Sequence, residues 1–74
     1  MTRYQFAIVR RCARLEARRL AGFWTTSSEN VFESLLDQAC AEFSISRQDP
    51  AYGRLVRAIE DYADSMIDRS RMAA

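Results

Sequence analysis

The sequence predicts an all-α protein of three helices forming one domain, residues 1–74. Only two glycines and one proline occur in 74 residues, so little interrupts long helices. Apolar side chains recur three and four residues apart along three segments, which is the spacing of amphipathic helices. Turn signals at Gly22 and at Asp49-Pro50 separate these segments. With 49% hydrophobic residues the chain does not have the composition of a disordered protein.

The first helix is predicted over about residues 2–21, ahead of Gly22 in the position of a C-terminal cap. At 100° per residue one side of this helix is basic and the opposite side is apolar. The basic side carries Arg3, Arg10, Arg11, Arg14 and Arg18. A further apolar flank of Tyr4, Ile8 and Leu15 has two interpretations of equal weight: contact with the third helix, or a seam for a dimer or another partner.

The second helix is predicted over about residues 28–43, with Thr26 and Glu29 forming a capping box. Its apolar stripe is wide, and Glu29, Glu33 and Asp37 lie on the opposite side. The helix is therefore expected to be amphipathic and acidic.

The third helix is predicted over about residues 50–69, with Asp49 as the N-cap and Pro50 at the first helical position. Residues 70–74 are expected to fray. The seam of this helix consists of Tyr52, Leu55, Ile59, Tyr62 and Met66. The residues expected to be buried where the second and third helices meet are Leu35, Leu36, Ile59 and Tyr62.

A short connector predicts that the first two helices form an antiparallel hairpin. In that alignment Cys12 lies level with Cys40, and two reduced core thiols are favoured over a redox-sensitive disulfide. The alignment also sets three arginines near acids of the second helix, which would neutralise part of the basic side. The expected pairs are Arg19 with Glu33, Arg14 with Asp37 and Arg10 with Glu42.

Several function classes are excluded by residue type. The chain has no histidine and no Cys-x-x-Cys pair, so we expect no zinc site and no other metal or cofactor. No serine or cysteine has a histidine partner and no glycine-rich phosphate loop occurs, so we expect no enzyme activity. The absence of a secretion signal and of an apolar run near the ~18 residues that span a bilayer predicts a soluble, cytoplasmic protein without a membrane partner.

The charge is segregated along the chain although the net charge is only +1. Residues 1–22 hold six of the eleven arginines and one acid, whereas residues 23–46 hold four acids and no base. Either the two segments neutralise each other, or the basic side is held out for an acidic partner. We predict the second, with a partner protein bound by Arg10, Arg11, Arg14, Arg18 and Trp24.

The predicted role is that of a small regulator or inhibitor that acts by binding, and a homodimer is expected because a core this small needs further stabilisation. The size and the use of arginine alone as the base are compatible with helical regulators carried by phages and plasmids, although no motif assigns a family. A nucleic-acid-associated regulator using the same arginines is the alternative, and a structural subunit of a larger assembly is a third. Acids along the third helix argue against a helix-turn-helix reader. Phe23 and Trp24 are expected to cap the helical core in preference to anchoring a partner.

Overall fold

The computed structural model, which describes the backbone of residues 1–73 and the side chains of residues 1–68, consists of three helices. They are α1 (Arg3–Leu20), α2 (Thr26–Glu42) and α3 (Pro50–Ala73). No strand occurs among the described residues, so the all-α prediction is confirmed. The first helix packs against both others, whereas α2 and α3 approach each other only marginally. None of the described helices combines the length and apolar character that crossing a membrane requires.

Side-chain caps fix the starts of α1 and α3. Thr2 Oγ1 accepts a hydrogen bond from the Gln5 backbone N–H at 3.1 Å, and Gln5 Oε1 accepts one from the Thr2 N–H at 2.9 Å. This reciprocal pair is a capping box that satisfies two backbone donors. At the start of α3, Asp49 Oδ1 accepts from the Ala51 N–H at 2.8 Å, which confirms the predicted Asp49 cap ahead of Pro50.

The N-cap of α2 lies one residue before the predicted one, and the helix begins at Thr26 instead of near residue 28. Thr25, not Thr26, is the N-cap, and its Oγ1 accepts from the Ser28 backbone N–H at 3.1 Å. The capping box expected between Thr26 and Glu29 is therefore wrong. Both threonines can serve as caps, and Thr25 leaves Glu29 free to accept a hydrogen bond from the Trp24 indole.

The ends of α1 and α2 share one geometry. Each has a residue with positive φ just past the cap, Gly22 at +89° and Ser44 at +56°. The following residue then donates back into the last turn: Phe23 N–H to Arg18 O at 2.8 Å, and Ile45 N–H to Cys40 O at 2.9 Å. These are the bonds of a Schellman motif, so the predicted Gly22 terminus is confirmed and α2 ends in the same way with a less suitable residue.

Substitution at these two turns is expected to shift stability in opposite directions. Ser44→Gly should raise the free energy of unfolding by about 0.5–1 kcal/mol, because glycine adopts the left-handed region without the steric cost that serine carries. Gly22→Ala should lower it by about 1 kcal/mol through backbone strain alone, since nothing lies within 4 Å of an added Cβ. Urea denaturation of both variants measures this, and shifts of the same sign would contradict it.

The third helix runs further than predicted. Its described end is Ala73, whereas the sequence predicted an end near Arg69 followed by a frayed tail. No glycine or proline follows Arg69, and the residues after it all tolerate helix, so nothing stops the helix there. Of the tail predicted to fray, Ala74 lies outside the described residues.

The core gathers around α1 and not, as predicted, where the second and third helices meet. Leu36 and Ile59 are buried as expected, while Leu35 and Tyr62 are only partly buried. All three helices contribute to the buried cluster, which consists of Ile8, Val9, Cys12, Ala13, Leu36, Ala39, Cys40, Leu55, Ile59 and Ala63. Fully buried alanines on each helix let the backbones approach closely, and this places α1 in the middle of the packing.

The second apolar flank of α1 is divided between core and surface. Ile8 is buried in the protein's own core and Leu15 is half-buried, whereas Tyr4 stays exposed. The buried surface of α1 is thus one broad arc rather than two separate apolar sides. Most of this flank is consequently not available as a seam for another molecule.

Candidate functional site

The predicted arginines form an exposed surface on α1, called here the arginine face and defined as Arg10, Arg11, Arg14 and Arg18. All four side chains are exposed. Within residues 1–68, whose side chains are described, none of them takes part in an ion pair. Four guanidinium groups therefore stand on one helix without carboxylate partners from the described part of their own chain.

The pairs that the hairpin alignment set between α1 and α2 are not formed among the described side chains, and Arg47 engages two of the acids of α2 instead. Arg47, in the loop after α2, places its two terminal nitrogens 2.8 Å from Glu33 Oε2 and 2.8 Å from Asp37 Oδ1. The hydrogen bond to Asp37 raises the pKa of Arg47 above its ordinary value, and the hydrogen bond to Glu33 makes a smaller contribution in the same direction. Glu33 and Asp37 are thus engaged by a loop residue and not by an arginine of α1.

The expected pairs between α1 and α2 do not form because the side chains point in different directions around the two helix axes. Pairing the two helices by height along their axes placed Arg14 level with Asp37, but it did not specify the directions in which the two side chains point. On α1 the arginine face points away from the buried arc, and on α2 the side bearing Glu33 and Asp37 points toward the Arg47 loop. Agreement in height alone could not bring these charges together.

Arg19 is separate from the arginine face and pairs with Glu16 in its own helix. Its Nε donates to Glu16 Oε2 at 3.1 Å, and a terminal nitrogen contacts the other carboxylate oxygen. Glu16 is only 5% exposed and is the one buried charged residue among the described side chains. The i, i+3 spacing and the position of Glu16 inside the apolar arc were the sequence signals for this pair, in place of the Arg19–Glu33 pair expected.

Trp24 lies away from the arginine face. Its indole N–H donates to Glu29 Oε2 at 2.8 Å, and its ring meets that of Phe32 edge-on with centroids 5.8 Å apart. This half-buried ring caps the end of the core, which was the favoured interpretation for both aromatic residues. Phe23 does not share that role: it is 73% exposed and lies beside Arg18.

Apolar side chains border the arginine face. Tyr4, Arg11 and Arg18 lie seven residues apart and so form one row along α1. Tyr4 is 62% exposed at one end of that row, and Phe23 is exposed at the other. Arginine and aromatic residues are the types enriched in protein–protein interfaces.

A second surface is a cleft of about 260 Å³ between the end of α1 and the first halves of α2 and α3, called here the acidic cleft. Its aromatic side chains are Trp24, Phe32 and Tyr52, and its carboxylates are Glu16, Glu29, Glu33 and Glu60. Arg19 is the one basic residue in its lining. No sequence pattern identifies this cleft, because its parts come from three helices and a loop.

The cysteines provide no reactive centre. Cys12 and Cys40 are both free and buried in the common core. Burial, with a smaller contribution from the charge of Cys40, raises the pKa of Cys12 to about 11. A thiol with this pKa is protonated at neutral pH and is a poor nucleophile. The described residues also hold no group of three or more side chains suited to a metal ion.

Comparison of the chain with protein-family models, with curated proteins and with solved structures finds no match.

Proposed function

We propose that this protein binds an acidic surface of a partner protein through the arginine face and thereby regulates or inhibits that partner without carrying out a reaction. The observation that carries this proposal is that the arginine face is exposed and takes part in no ion pair with the described side chains. All four guanidinium groups of the face are therefore open to carboxylates of another molecule as far as the described residues are concerned. Arginine suits the role because it stays charged and makes forked hydrogen bonds to carboxylates.

The apolar border favours a protein over a nucleic acid as the partner. Tyr4 and Phe23 are exposed at the two ends of the arginine row, where the phosphate backbone of a double helix offers no apolar surface to cover them. Protein interfaces, in contrast, bury aromatic side chains next to arginine. Arginines without an ion pair among the described residues also support a nucleic-acid-associated regulator, which we keep as the alternative. The third alternative is a structural subunit of a larger assembly, in which the same apolar border would form permanent contacts.

We also propose that the protein forms a homodimer and that α1 and α2 form an antiparallel hairpin. The exposed side chains of Tyr4 and Phe23 support a dimer, while the burial of Ile8 removes part of the basis for it. A hydrogen bond between Gln5 Nε2 and the Glu42 carbonyl, 3.5 Å long, supports the hairpin by joining the start of α1 to the end of α2. The two free cysteines fit the reducing cytoplasm that we propose as its location.

The test separates binding from stability. Immobilised wild-type protein and the single variants Arg10→Ala, Arg14→Ala and Arg18→Ala are used to capture partners from the native host, and captured proteins are then purified for affinity measurement. Each variant should bind about five- to tenfold more weakly, since exposed interface arginines contribute about 1 kcal/mol or more. Their melting temperatures should stay close to wild type because none makes an ion pair within the described residues.

The matched control is Arg54→Ala, which removes an exposed arginine of α3 outside the face and should change neither quantity. Salt titration identifies the kind of partner, because phosphate contacts give a steep loss of affinity with salt and apolar contacts do not. Full affinity together with lowered melting temperatures in the three variants would reject the arginine face as a binding surface.

A further inference from the structure

The acidic cleft has aromatic walls suited to a flat or cationic group. Trp24 and Phe32 meet edge-on along one side, with Trp24 held in place by its hydrogen bond to Glu29. Tyr52, from the first turn of α3, also lines the cleft. The faces of such rings attract cations. A volume of about 260 Å³ lies just below the range of about 300–1,000 Å³ typical of sites for drug-sized ligands, so a single side chain is the better fit.

The charge of the cleft is negative after its internal pairs are counted. Arg19 neutralises Glu16 at the base, and Arg47, next to the cleft, pairs with Glu33. Glu29 accepts only from the neutral indole of Trp24, and Glu60 has no ion-pair partner within residues 1–68. Glu29 and Glu60 therefore form no ion pair with the described side chains, although the charge of Arg19 acts on both. The pKa of Arg19 is raised chiefly by its hydrogen bond to Glu16, and the charges of Glu60 and Glu29 add to this increase.

Arg47 shows how a guanidinium group binds at the edge of the acidic cleft. The Cζ atom of Arg47 lies 5.8 Å from the centre of the Tyr52 ring, while its nitrogens contact Glu33 and Asp37. One aromatic ring and two carboxylates thus hold one guanidinium beside the cleft. The cleft repeats this set of groups with the Trp24 and Phe32 rings and the carboxylates of Glu29 and Glu60, which form no ion pair within residues 1–68.

We propose that the acidic cleft binds the guanidinium of an arginine side chain presented by a partner protein. The planar group would lie against the aromatic walls and donate hydrogen bonds to Glu29 and Glu60. Arginine is favoured over lysine because stacking and forked donation both need a planar group. This site lies away from the arginine face and does not depend on the function proposed for that face.

The probe for this site is N-acetyl-L-arginine methylamide, which represents an arginine side chain within a polypeptide. Trp24 is the only tryptophan, so its fluorescence and its indole N–H resonance report on the cleft alone. We expect a saturable change in both signals, with Kd on the order of 1–10 mM for one isolated side chain. The blocked citrulline analogue has the same shape without the charge and should give no saturable change.

Variants assign the response to the cleft. Glu60→Gln and Glu29→Gln should each weaken binding by about fivefold, the factor expected for one exposed charged contact. Glu42→Gln, the same change outside the cleft, should leave Kd unaltered. Glu60 is exposed, so its variant should fold normally, and circular dichroism checks this. Tyr52→Leu keeps an apolar side chain but removes the ring, and it should also weaken binding.

Four results would overturn the proposal. The first is a response to citrulline equal to that of arginine, and the second is an unchanged Kd in both glutamine variants. The third is tighter binding of free L-arginine than of the blocked form, which would indicate a free amino acid in place of a partner's side chain. A stronger response to the blocked lysine analogue would reject the guanidinium as the recognised group.

Discussion

Replacement of Ile59 with alanine is expected to lower the free energy of unfolding by about 2–5 kcal/mol. Ile59 is 2% exposed and is the largest side chain among those fully buried. Its truncation removes apolar contacts and leaves a cavity in the core around α1, which adjoining side chains can fill only in part. A domain of this length has a total stability on the order of 4–11 kcal/mol, so the variant should be close to unfolding at 37 °C.

The matched control for Ile59→Ala is Val31→Ala, because Val31 is also a β-branched side chain within a helix but is 51% exposed. That change should alter stability by less than about 0.5 kcal/mol. Urea denaturation followed by circular dichroism compares the two variants. Equal losses would show that the assignment of the buried face of α3 is wrong.

Replacement of Arg19 with methionine is expected to cost about 1–3 kcal/mol, which is more than an exposed arginine normally contributes. Arg19 is itself 52% exposed, but its partner Glu16 is 7% exposed at the side chain. Methionine keeps the unbranched aliphatic stem and removes the donors, so the Glu16 carboxylate stays buried without a protein partner. The cost arises from the unsatisfied carboxylate, not from the loss of an attractive pair.

The double variant Glu16→Met, Arg19→Met distinguishes these two origins. If the unpaired carboxylate causes the loss, then removing both partners should destabilise the protein less than Arg19→Met alone. Thermal unfolding of the wild type, the two single variants and the double variant provides the full cycle. A double variant less stable than Arg19→Met would mean that the pair itself stabilises the fold.

The helices could be predicted from sequence because local signals agree with one another. The Asp49-Pro50 start and the Gly22 terminus each depend on residues within one turn, and both are confirmed. The α2 start was misplaced because adjacent threonines can both cap a helix. The seam of α3 was placed correctly for Leu55 and Ile59, since periodicity alone identifies a buried face.

The site was less predictable because it depends on which direction each side chain points after packing. The exposure of the arginine face followed from the helical wheel, but the engagement of Glu33 and Asp37 depended on Arg47, a loop residue that no periodic pattern identifies. The acidic cleft combines residues from distant parts of the chain, such as Glu16 and Tyr52. Only the packing of three helices brings such residues together.

The two charged surfaces also affect how the protein meets a partner in solution. Arg14 and Glu16 are two residues apart in α1, about 200° around the helix, so the arginine face and the acidic cleft that Glu16 lines lie on opposite sides of it. A molecule with net charge +1 therefore carries a substantial dipole. In the electric field of an acidic partner this dipole turns the arginine face toward the partner before contact. At low ionic strength, productive collisions are therefore more frequent than for a protein of the same net charge without a dipole.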